Sequence, residues 1–220
     1  MTNDLFSLNT QHSSFNIQHS NMPHYYTLGK IPHKRHTQFR KPDGGLYSEQ
    51  LFSTEGFSDD YSLLYHCHPP TQIIKTEPQV DVSPHIAEEK MLKHRCFEGF
   101  HIRPGGEYLQ SRVSVLVNSD CHIVLAAPQS GTKDYFYKNT DADEMIFVHE
   151  GSGTVHTQYG ELDFGYGDYI VLPRGTIYQI EFNDDKNRLF IVESFTPLRF
   201  PKRYLSKLGQ LMEHSPYCER

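Results

Sequence analysis

The sequence predicts a mainly β protein, built as a barrel or sandwich of short antiparallel strands that follows a long extended N-terminal arm. From Tyr108 onward, eight short runs rich in β-branched and aromatic residues are separated by tight polar turns. Before residue 105, prolines, glycines and brief apolar clusters follow one another without a sustained helical or strand period. A chain of 220 residues is long enough to bury a sizeable core.

The eight strand-like runs and the turns between them define the barrel region. The residues between the runs are those that tolerate tight turns or cap them with side-chain oxygens, as at 118–120, 150–153, 159–161 and 183–185. Their close spacing predicts antiparallel hairpins. The runs read YLQSRVSVLVN, CHIVLAAP, KDYFYK, EMIFVHE, GTVHTQYG, YIVLP, TIYQIEF and RLFIVESF.

Two segments outside the runs have helical patterns. Residues 85–95, HIAEEKMLKHR, carry Glu88 and Glu89 early and basic residues late, the order that the helix dipole favours. Near the end of the chain, apolar residues from Tyr204 to Leu211 recur at helical spacing, with basic residues on the other face. The sequence therefore predicts a short helix in each segment.

These patterns divide the chain into three parts. Residues 1–105 are expected to form an extended arm with little regular structure, and residues 106–197 are expected to form the barrel. Residues 198–220 are expected to form a helix and the start of a connection to a further domain. Since the last residues form no polar tail, we expect the protein to continue beyond them.

Charge and motif content exclude several classes of function. The 21 basic residues are outnumbered by 27 acidic ones, and the formal net charge of -6 is spread along the chain. The chain contains no nucleophile elbow, phosphate-binding loop or dinucleotide-binding motif. The sequence therefore predicts no nucleic-acid partner. A local basic cluster is interpreted as a solvated face because acidic residues follow it, and it consists of Lys30, Lys34, Arg35 and Arg40.

Apolar runs and cysteines bear on the location of the protein. No apolar run approaches the roughly 20 residues of a membrane span, and the first residues lack the basic and apolar regions of a signal peptide. The cysteines are far apart and form no CxxC pair, so neither a disulfide scaffold nor a thiolate zinc site is indicated. We therefore predict a soluble protein of the reducing cytoplasm without a membrane partner. The cysteines are Cys67, Cys96, Cys121 and Cys218.

A glycine and proline motif indicates that the barrel is a cupin, a double-Greek-key β-barrel of the jelly-roll kind. The motif reads Gly167, five residues, Pro173, one residue and Gly175, so that turns enclose a buried strand. Its metal position comes three residues after Gly175. That position is Tyr178, where a metal-binding cupin has histidine.

The other cupin motif has the outline without the ligands. A metal-binding motif needs a His-x-His pair upstream of a glutamate, because three imidazoles and a carboxylate converge on one ion. Glu144 stands at the correct spacing before Gly151, but residues 134–140 contain no histidine. Glu144 is therefore expected to have a structural or hydrogen-bonding role, and this barrel is expected to bind no metal.

His66-Cys67-His68 is an alternative metal pair. In an extended strand both imidazoles would point to one side, as two ligands should. The prolines that follow indicate a rigid loop, and no carboxylate stands at a supporting distance. Metal binding is therefore the minor interpretation of this pair.

Two further histidine pairs are weaker candidates. His33 and His36 flank two basic residues, which raises the electrostatic cost of placing a cation there. His149 and His156 fall in neighbouring predicted strands across the Gly151 turn. They either face each other or are ordinary hydrogen-bonded barrel histidines, which is the commoner case.

Three stretches of the chain resemble the homogentisate 1,2-dioxygenase family. Residues 47–67, YSEQLFSTEGFSDDYSLLYHC, are similar to the family's Y-x-E-Q-L segment and the tyrosine-rich strand after it. Residues 136–180, from FYKNTDADEM to RGTIYQI, look like its amino-terminal cupin. Residues 29–47, GKIPHKRHTQFRKPDGGLY, are similar to the shorter bacterial branch.

The resemblance implies the amino-terminal part of an enzyme of tyrosine and phenylalanine breakdown, which inserts both atoms of O2 into homogentisate to give maleylacetoacetate. The family uses one Fe(II) held by two histidines and a glutamate, with open positions for substrate and O2. No position among these 220 residues matches that motif. We therefore assign no catalytic, cofactor-binding or metal residue, and expect the chain alone to be inactive. The family also implies trimers that pair into hexamers, with the arm wrapping neighbours.

Two other functions remain open from the sequence. A stand-alone, metal-free cupin would act as a binding or scaffolding module whose barrel mouth accepts a small aromatic ligand. An autonomous metalloenzyme would use His66, His68 and a distant carboxylate as ligands. The natural end of the chain distinguishes the stand-alone module from the dioxygenase interpretation. Metal analysis of the purified chain tests the autonomous metalloenzyme.

Overall fold

The computed structural model of the chain consists of two units. One comprises Lys34–Arg199 and contains every strand of the described residues. The other comprises Met1–His33 and Phe200–Arg220. The residues that the structure describes are His33, 38–70, 73–75, 80–88 and 93–216.

The strands of the first unit form two larger sheets and a separate hairpin. The strands are β1 (Ser48–Glu55), β2 (Ser58–His66), β3 (Arg112–Val117), β4 (Cys121–Ala126), β5 (Tyr137–Lys138), β6 (Asp143–Glu150), β7 (Gly153–Thr157), β8 (Gly160–Phe164), β9 (Tyr169–Leu172), β10 (Ile177–Phe182) and β11 (Arg188–Ser194). One sheet has the strand order β3-β4-β11-β6-β9, and the other has the order β5-β10-β7-β8. All of their strand pairs are antiparallel.

The chain passes repeatedly from one sheet to the other, and this makes the barrel. β4, β6, β9 and β11 belong to the five-stranded sheet, while β5, β7, β8 and β10, which lie between them in sequence, belong to the four-stranded sheet. One buried core joins the sheets, with Ile146 and Ile191 from the first and Val155 and Ile180 from the second. This is the cupin barrel that the sequence predicts.

Each of the eight predicted runs contains a strand, but the structure adds a ninth strand, β8, that the sequence analysis missed. The sequence analysis placed a turn at residues 159–161 and assigned no strand to the residues that follow it. In the structure, Thr157 and Gly160 are the last pair of a tight β7-β8 hairpin. Phe164, at the end of β8, is buried in the core and anchors the strand.

The turn expected at Gly175 is confirmed by its backbone. Gly175 has φ of +83°, a left-handed conformation that favours glycine. Its N–H donates a hydrogen bond of 2.7 Å to the carbonyl of Asn139. A Cβ at Gly175 would lie 3.1 Å from the ring of Phe52, so both the backbone angle and the space favour glycine.

Strands β1 and β2 form a hairpin within residues 1–105, where the sequence analysis expected an extended arm with little regular structure. The two strands pair in register from Ser48 opposite His66 to Glu55 opposite Ser58. Phe52 packs its ring edge-on against Tyr159 of the barrel, with centroids 5.9 Å apart. Neither strand alternates strictly in sequence, since Leu51 is next to Phe52 and Leu63 is next to Leu64, so the period-two signal for the hairpin was weak.

The helix expected at residues 85–95 is wrong for its described part. Residues 85–88 and 93–95 are not helical, and residues 89–92 lie outside the described residues. Ile86 is exposed, so no apolar face packs against a core. Since short helices depend on such packing, a favourable order of charges is not sufficient. None of the helices that the structure describes has the length and apolar character needed to cross a membrane.

The helix expected within residues 198–220 is also wrong for the part that the structure describes, up to residue 216. A single 3-10 turn, Lys202–Tyr204, is followed by a loop closed by a bridge between Leu205 and Leu211. Gly209 has φ of +82°, and its N–H donates to the carbonyl of Ser206. The leucines have helical spacing, but the turn at Gly209 prevents a continuous helix.

Candidate functional site at the barrel centre

The strand register places two glutamates opposite each other inside the barrel. On β6, Glu144 alternates in phase with the buried Ile146, and on β11 Glu193 alternates in phase with the buried Ile191. The two strands pair with Glu193 directly across from Glu144. Because two facing carboxylates repel each other in a low-dielectric interior, this arrangement requires a neighbouring cation.

Arg112, at the start of β3, supplies that cation. Its Nη1 donates to Glu144 Oε1 at 2.8 Å, and its Nη2 donates to Glu193 Oε1 at 2.6 Å. The guanidinium also lies over the ring of Tyr108, 5.5 Å from its centroid. Only 6% of Arg112, 1% of Glu144 and 15% of Glu193 is exposed. Charge-assisted hydrogen bonds are strong under such burial.

Tyr178 joins the charged residues to the opposite sheet. Its phenol, on β10, donates to Glu144 Oε2 at 2.8 Å, so each carboxylate oxygen of Glu144 accepts a hydrogen bond. Tyr137 packs edge-on against the Tyr178 ring at a centroid distance of 5.4 Å. We call the following residues the central cluster: Tyr108, Arg112, Tyr137, Glu144, Tyr178 and Glu193.

Burial sets the protonation states of the central cluster. Burial raises the pKa of Tyr178 well above its usual 10.0, and the Glu144 carboxylate raises it further. Burial also raises the pKa of Tyr108 and of Tyr137. Burial by itself lowers the pKa of Arg112, but the surrounding phenols and carboxylates outweigh this and hold that pKa well above its ordinary value. The phenols therefore keep their protons, Tyr178 donates to Glu144, and the guanidinium remains charged.

The central cluster does not fit an iron ion. The Arg112 guanidinium already lies 2.8 Å from Glu144 and carries positive charge, and Tyr178 holds the other carboxylate oxygen. A ferrous site of the facial kind needs imidazole and carboxylate ligands with open positions. In the part of the chain that the structure describes, no group of three or more His, Cys, Asp or Glu side chains is arranged to hold a metal ion. Glu144 has the hydrogen-bonding partners expected of a structural residue.

The structure places His66 at the end of the β1–β2 hairpin and His68 in the loop after it. His66 is the last residue of β2, and its Nε2 lies 2.8 Å from Gln50 Oε1 across the hairpin. His68 is exposed, and within the described ranges no carboxylate completes a ligand set with it. His33 is exposed, and His36 lies outside the described residues.

His149 and His156 are not brought together. β6 carries His149 and β7 carries His156, and these strands belong to different sheets. His149 packs against the Phe100 ring with centroids 4.7 Å apart. His156 places Nδ1 at 3.1 Å from Glu161 and Nε2 at 3.7 Å from Glu181. Each histidine thus contacts its own neighbours, although His156 Nε2 has no hydrogen-bond partner among the described residues.

A cavity of about 260 Å³ lies beside the central cluster. Its polar lining includes His122, Asn139 and Glu193, and its apolar lining includes Tyr137 and Phe195. His122 Nδ1 lies 3.4 Å from Glu193 Oε2, and Asn139 Nδ2 donates to Glu193 Oε1 at 3.1 Å. Glu193, one of the two carboxylates that line this cavity with Asp141, is thus already hydrogen-bonded.

Sequence reasoning identified Glu144 and Tyr178 but missed their partners. The available signal was strand alternation, since Glu193 falls on the same phase as Leu189 and Ile191 in RLFIVES. A charged residue on the apolar phase of a strand indicates a buried ion pair, because a lone buried charge is too costly. The identity of the cation, Arg112, depends on β3 lying in the same sheet and is not encoded locally.

Sequence comparison gives one family. The family described as homogentisate 1,2-dioxygenase N-terminal matches residues 12–206. A protein of Saccharolobus solfataricus that carries a provisional dioxygenase name is 35% identical over 199 residues, which are 90% of this chain and 51% of that protein. The chain thus spans about half the length of the curated relative that it matches.

Solved structures of low sequence identity match the barrel in part. A cupin-2 domain protein from Shewanella frigidimarina is 18% identical over 38% of this chain and 79% of its own, with a TM-score of 0.34. A Klebsiella pneumoniae protein with a double-stranded β-helix domain is 19% identical over 46% of this chain and 90% of its own, with a TM-score of 0.40. Because the family match covers most of the chain, the protein belongs to the family of homogentisate 1,2-dioxygenase N-terminal domains.

Proposed function

We propose that this chain is the non-catalytic N-terminal portion of a homogentisate 1,2-dioxygenase. The whole enzyme inserts both atoms of O2 into the ring of homogentisate and gives maleylacetoacetate, a step of tyrosine and phenylalanine breakdown in the cytoplasm. Family membership and the half-length match to a relative with a provisional dioxygenase name support the enzyme class.

The observation that carries the non-catalytic role is the state of Glu144. Arg112 and Tyr178 each donate to one of its carboxylate oxygens, so the single ligand retained from a cupin metal motif is used inside the protein. Replacing a metal ion by a guanidinium keeps the positive charge and gives up the open coordination positions that O2 chemistry needs. The barrel centre is therefore built for stability.

In this proposal Fe(II) activates O2 on residues outside the chain, and the barrel supports the domain that holds the iron. The hydrogen bond from Tyr178 to Glu144 joins the two sheets across the core. We further propose that whole enzymes assemble as trimers or hexamers. Rigid supporting domains help to hold catalytic groups in their productive geometry.

Oxygen uptake tests the proposal most simply. The 220-residue chain and the product of the complete gene, read past the codon for Arg220, are each supplied with homogentisate, Fe(II) and a reductant. We expect uptake only with the complete product. In that product, Glu144→Gln should lower stability but leave turnover per folded molecule unchanged, because Glu144 does not touch the iron.

Three outcomes contradict parts of this proposal. Homogentisate turnover by the 220-residue chain, abolished by a chelator, would place the metal in this chain and overturn the division of roles. A gene that ends at Arg220 would remove the catalytic half altogether. Activity of the complete product on another dihydroxylated aromatic acid, but not on homogentisate, would overturn only the substrate.

A stand-alone binding module is the second candidate, and the cavity of about 260 Å³ beside the central cluster favours it. Its lining of Tyr137, Phe195, His122 and Asn139 combines aromatic and hydrogen-bonding groups, as small aromatic ligands require. Calorimetric titration with homogentisate distinguishes the two functions. Saturable binding that is lost in Asn139→Ala would favour the module, whereas the absence of saturable binding agrees with a supporting domain.

A further inference from the structure

The cavity of about 260 Å³ beside the central cluster is lined by carboxylates and by aromatic rings. Glu193 and Asp141 supply the carboxylates, and Tyr137 and Phe195 supply the rings. None of the described residues that line the cavity is a lysine or an arginine, and His122 is the basic side chain among them. The lining is therefore acidic on one part and aromatic on another.

The central cluster gives this cavity an excess of negative charge. One guanidinium, that of Arg112, is shared by the carboxylates of Glu144 and Glu193, so one negative charge is left in excess. The phenols of the cluster keep their protons and do not alter this balance. Because a buried charge is costly unless it is paired, a further positive charge beside Glu193 would stabilise the barrel.

The excess charge can be reached from the cavity at one oxygen of Glu193. The Oε1 atom accepts hydrogen bonds from Arg112 at 2.6 Å and from Asn139 at 3.1 Å. The Oε2 atom accepts no hydrogen bond from the described residues, and His122 Nδ1 lies 3.4 Å from it. Since Glu193 lines the cavity and 15% of its side chain is exposed, Oε2 is available to a bound cation.

Residues 82–84 of the N-terminal arm close one side of the cavity. Val80 packs against the barrel core, and Asp81 accepts a hydrogen bond of 2.9 Å from the Ser83 N–H. These contacts fix the arm beside the barrel, so the cavity is a pocket between the two. It has room for a molecule with one ring, since an engineered cavity of about 150 Å³ holds benzene.

We propose that this cavity binds a small primary ammonium ion that carries a body of about one ring. The ammonium donates a charge-assisted hydrogen bond to Glu193 Oε2, and its body lies against Tyr137 and Phe195, whose ring faces attract cations. An aromatic acid such as homogentisate would instead bring a third carboxylate into the cavity. An organic cation fits better than a metal ion, because the described residues contain no group of three or more His, Cys, Asp or Glu side chains arranged to hold a metal.

Ligand-observed NMR titration of the 220-residue chain tests the site with three probes of similar shape. Benzylammonium should bind with a dissociation constant below about 1 mM. Benzyl alcohol should bind at least about tenfold more weakly, because it offers only a neutral hydrogen bond, and benzoate should show no saturable binding.

Substitution of the carboxylate locates the binding. Glu193→Gln should weaken benzylammonium binding at least about tenfold and change benzyl alcohol binding less than about threefold. Glu161→Gln is the matched control, since Glu161 also lies beside a histidine but is outside the cavity. It should bind both probes as the unchanged chain does.

Three results would overturn the proposal: no saturable binding of benzylammonium up to about 10 mM, equal binding of benzylammonium and benzyl alcohol, or equal effects of Glu193→Gln and Glu161→Gln. If Glu193→Gln does not fold by circular dichroism, Asp141→Asn and Asp185→Asn form a second pair, since both side chains are exposed but only Asp141 lines the cavity. Asp141→Asn should then weaken benzylammonium binding more than Asp185→Asn does, and equal effects would contradict the site. Binding alone is measured, so the result does not depend on the proposed dioxygenase activity.

Discussion

Two contacts between a basic and an acidic side chain in this barrel have similar lengths and very different surroundings. Inside, Arg112 holds Glu144 at 2.8 Å with 6% and 1% of the two side chains exposed. On the outer face of the four-stranded sheet, His156 lies 3.1 Å from Glu161, with 28% and 72% exposed. The distances are nearly equal, so the two pairs differ in burial and in the basic group, since an imidazole is charged only when it is protonated.

Burial makes the inner pair hard to alter one residue at a time. Each of its charges has lost its hydration, and the remaining partner would stay buried without compensation if the other were removed. The outer pair is solvated, screened by salt and free to exchange its partner for water. The position of a cupin metal motif has therefore become a structural junction whose residues depend on one another.

Loss of the Arg112 guanidinium should lower the free energy of unfolding more than any other change considered. Arg112→Met leaves the carboxylates of Glu144 and Glu193 facing each other in the core. We expect the free energy of unfolding to fall by about 3–5 kcal/mol, measured by urea denaturation. A loss below about 1 kcal/mol would remove the distinction between the inner and outer pairs.

Removing all three charges should restore much of this loss. Arg112→Met combined with Glu144→Gln and Glu193→Gln leaves no buried charge without a partner. We expect the triple variant to be more stable than Arg112→Met alone, because the cost lies in the unpaired carboxylates. A triple variant that is less stable than Arg112→Met would show that the two carboxylates stabilise the barrel without the guanidinium, and would contradict this explanation.

The phenol that links the sheets should have the next largest effect. Tyr178→Phe keeps the ring but removes the donor to Glu144 Oε2. Leaving a buried carboxylate oxygen without its donor should cost about 1–3 kcal/mol in urea denaturation. Tyr166→Phe is the matched control, since Tyr166 is exposed, and it should leave the unfolding midpoint unchanged.

Alkaline pH should also lower the stability of the fold through the central cluster. The folded-state pKa of Tyr178 is raised above its usual 10.0, so above that pH the unfolded phenol loses its proton first. The unfolded state then binds fewer protons, and stability falls as pH rises, by up to about 1.4 kcal/mol per pH unit for one such tyrosine. Unfolding midpoints below and above pH 10.0 measure the decline, which should be shallower in Tyr178→Phe. Equal declines would contradict the assignment.

Removing the outer pair of His156 and Glu161 should change the free energy of unfolding least. Glu161→Gln removes the carboxylate that lies 3.1 Å from His156. Because Glu161 is mostly exposed, we expect a change below about 0.5 kcal/mol that disappears in high salt. A loss as large as that of Arg112→Met would mean that burial is not what separates the two pairs.

The sequence was sufficient for the barrel because its signals are local. Alternating apolar residues and turn formers predict eight of the strands, and Gly175 marks a turn that requires a left-handed backbone. β8 was missed because the turn expected at residues 159–161 includes its first two residues, and Phe164 is its one buried residue. The local pattern at 205–211 predicted a helix, but Gly209 forms a turn there instead.

The site was predicted only in part, because half of it depends on strand pairing. The motifs identify Glu144 and Tyr178 by spacing, and the absence of histidine predicts that Glu144 is a hydrogen-bonding residue. The contact with Arg112 joins residues that are 32 positions apart, and the contact with Glu193 joins residues that are 81 positions apart. Such contacts follow from sheet order, which is a property of the whole fold.

Metal titration tests most directly the claim that the barrel centre holds an ion pair in place of iron. Anaerobic calorimetry with Fe(II) is performed on the unchanged chain, on Tyr178→His and on Glu144→Gln, each shown to be folded by circular dichroism. We expect no stoichiometric binding that depends on Glu144, even in Tyr178→His, because one imidazole and one carboxylate leave too few ligands. Binding of one Fe(II) per chain that disappears in Glu144→Gln would contradict the account.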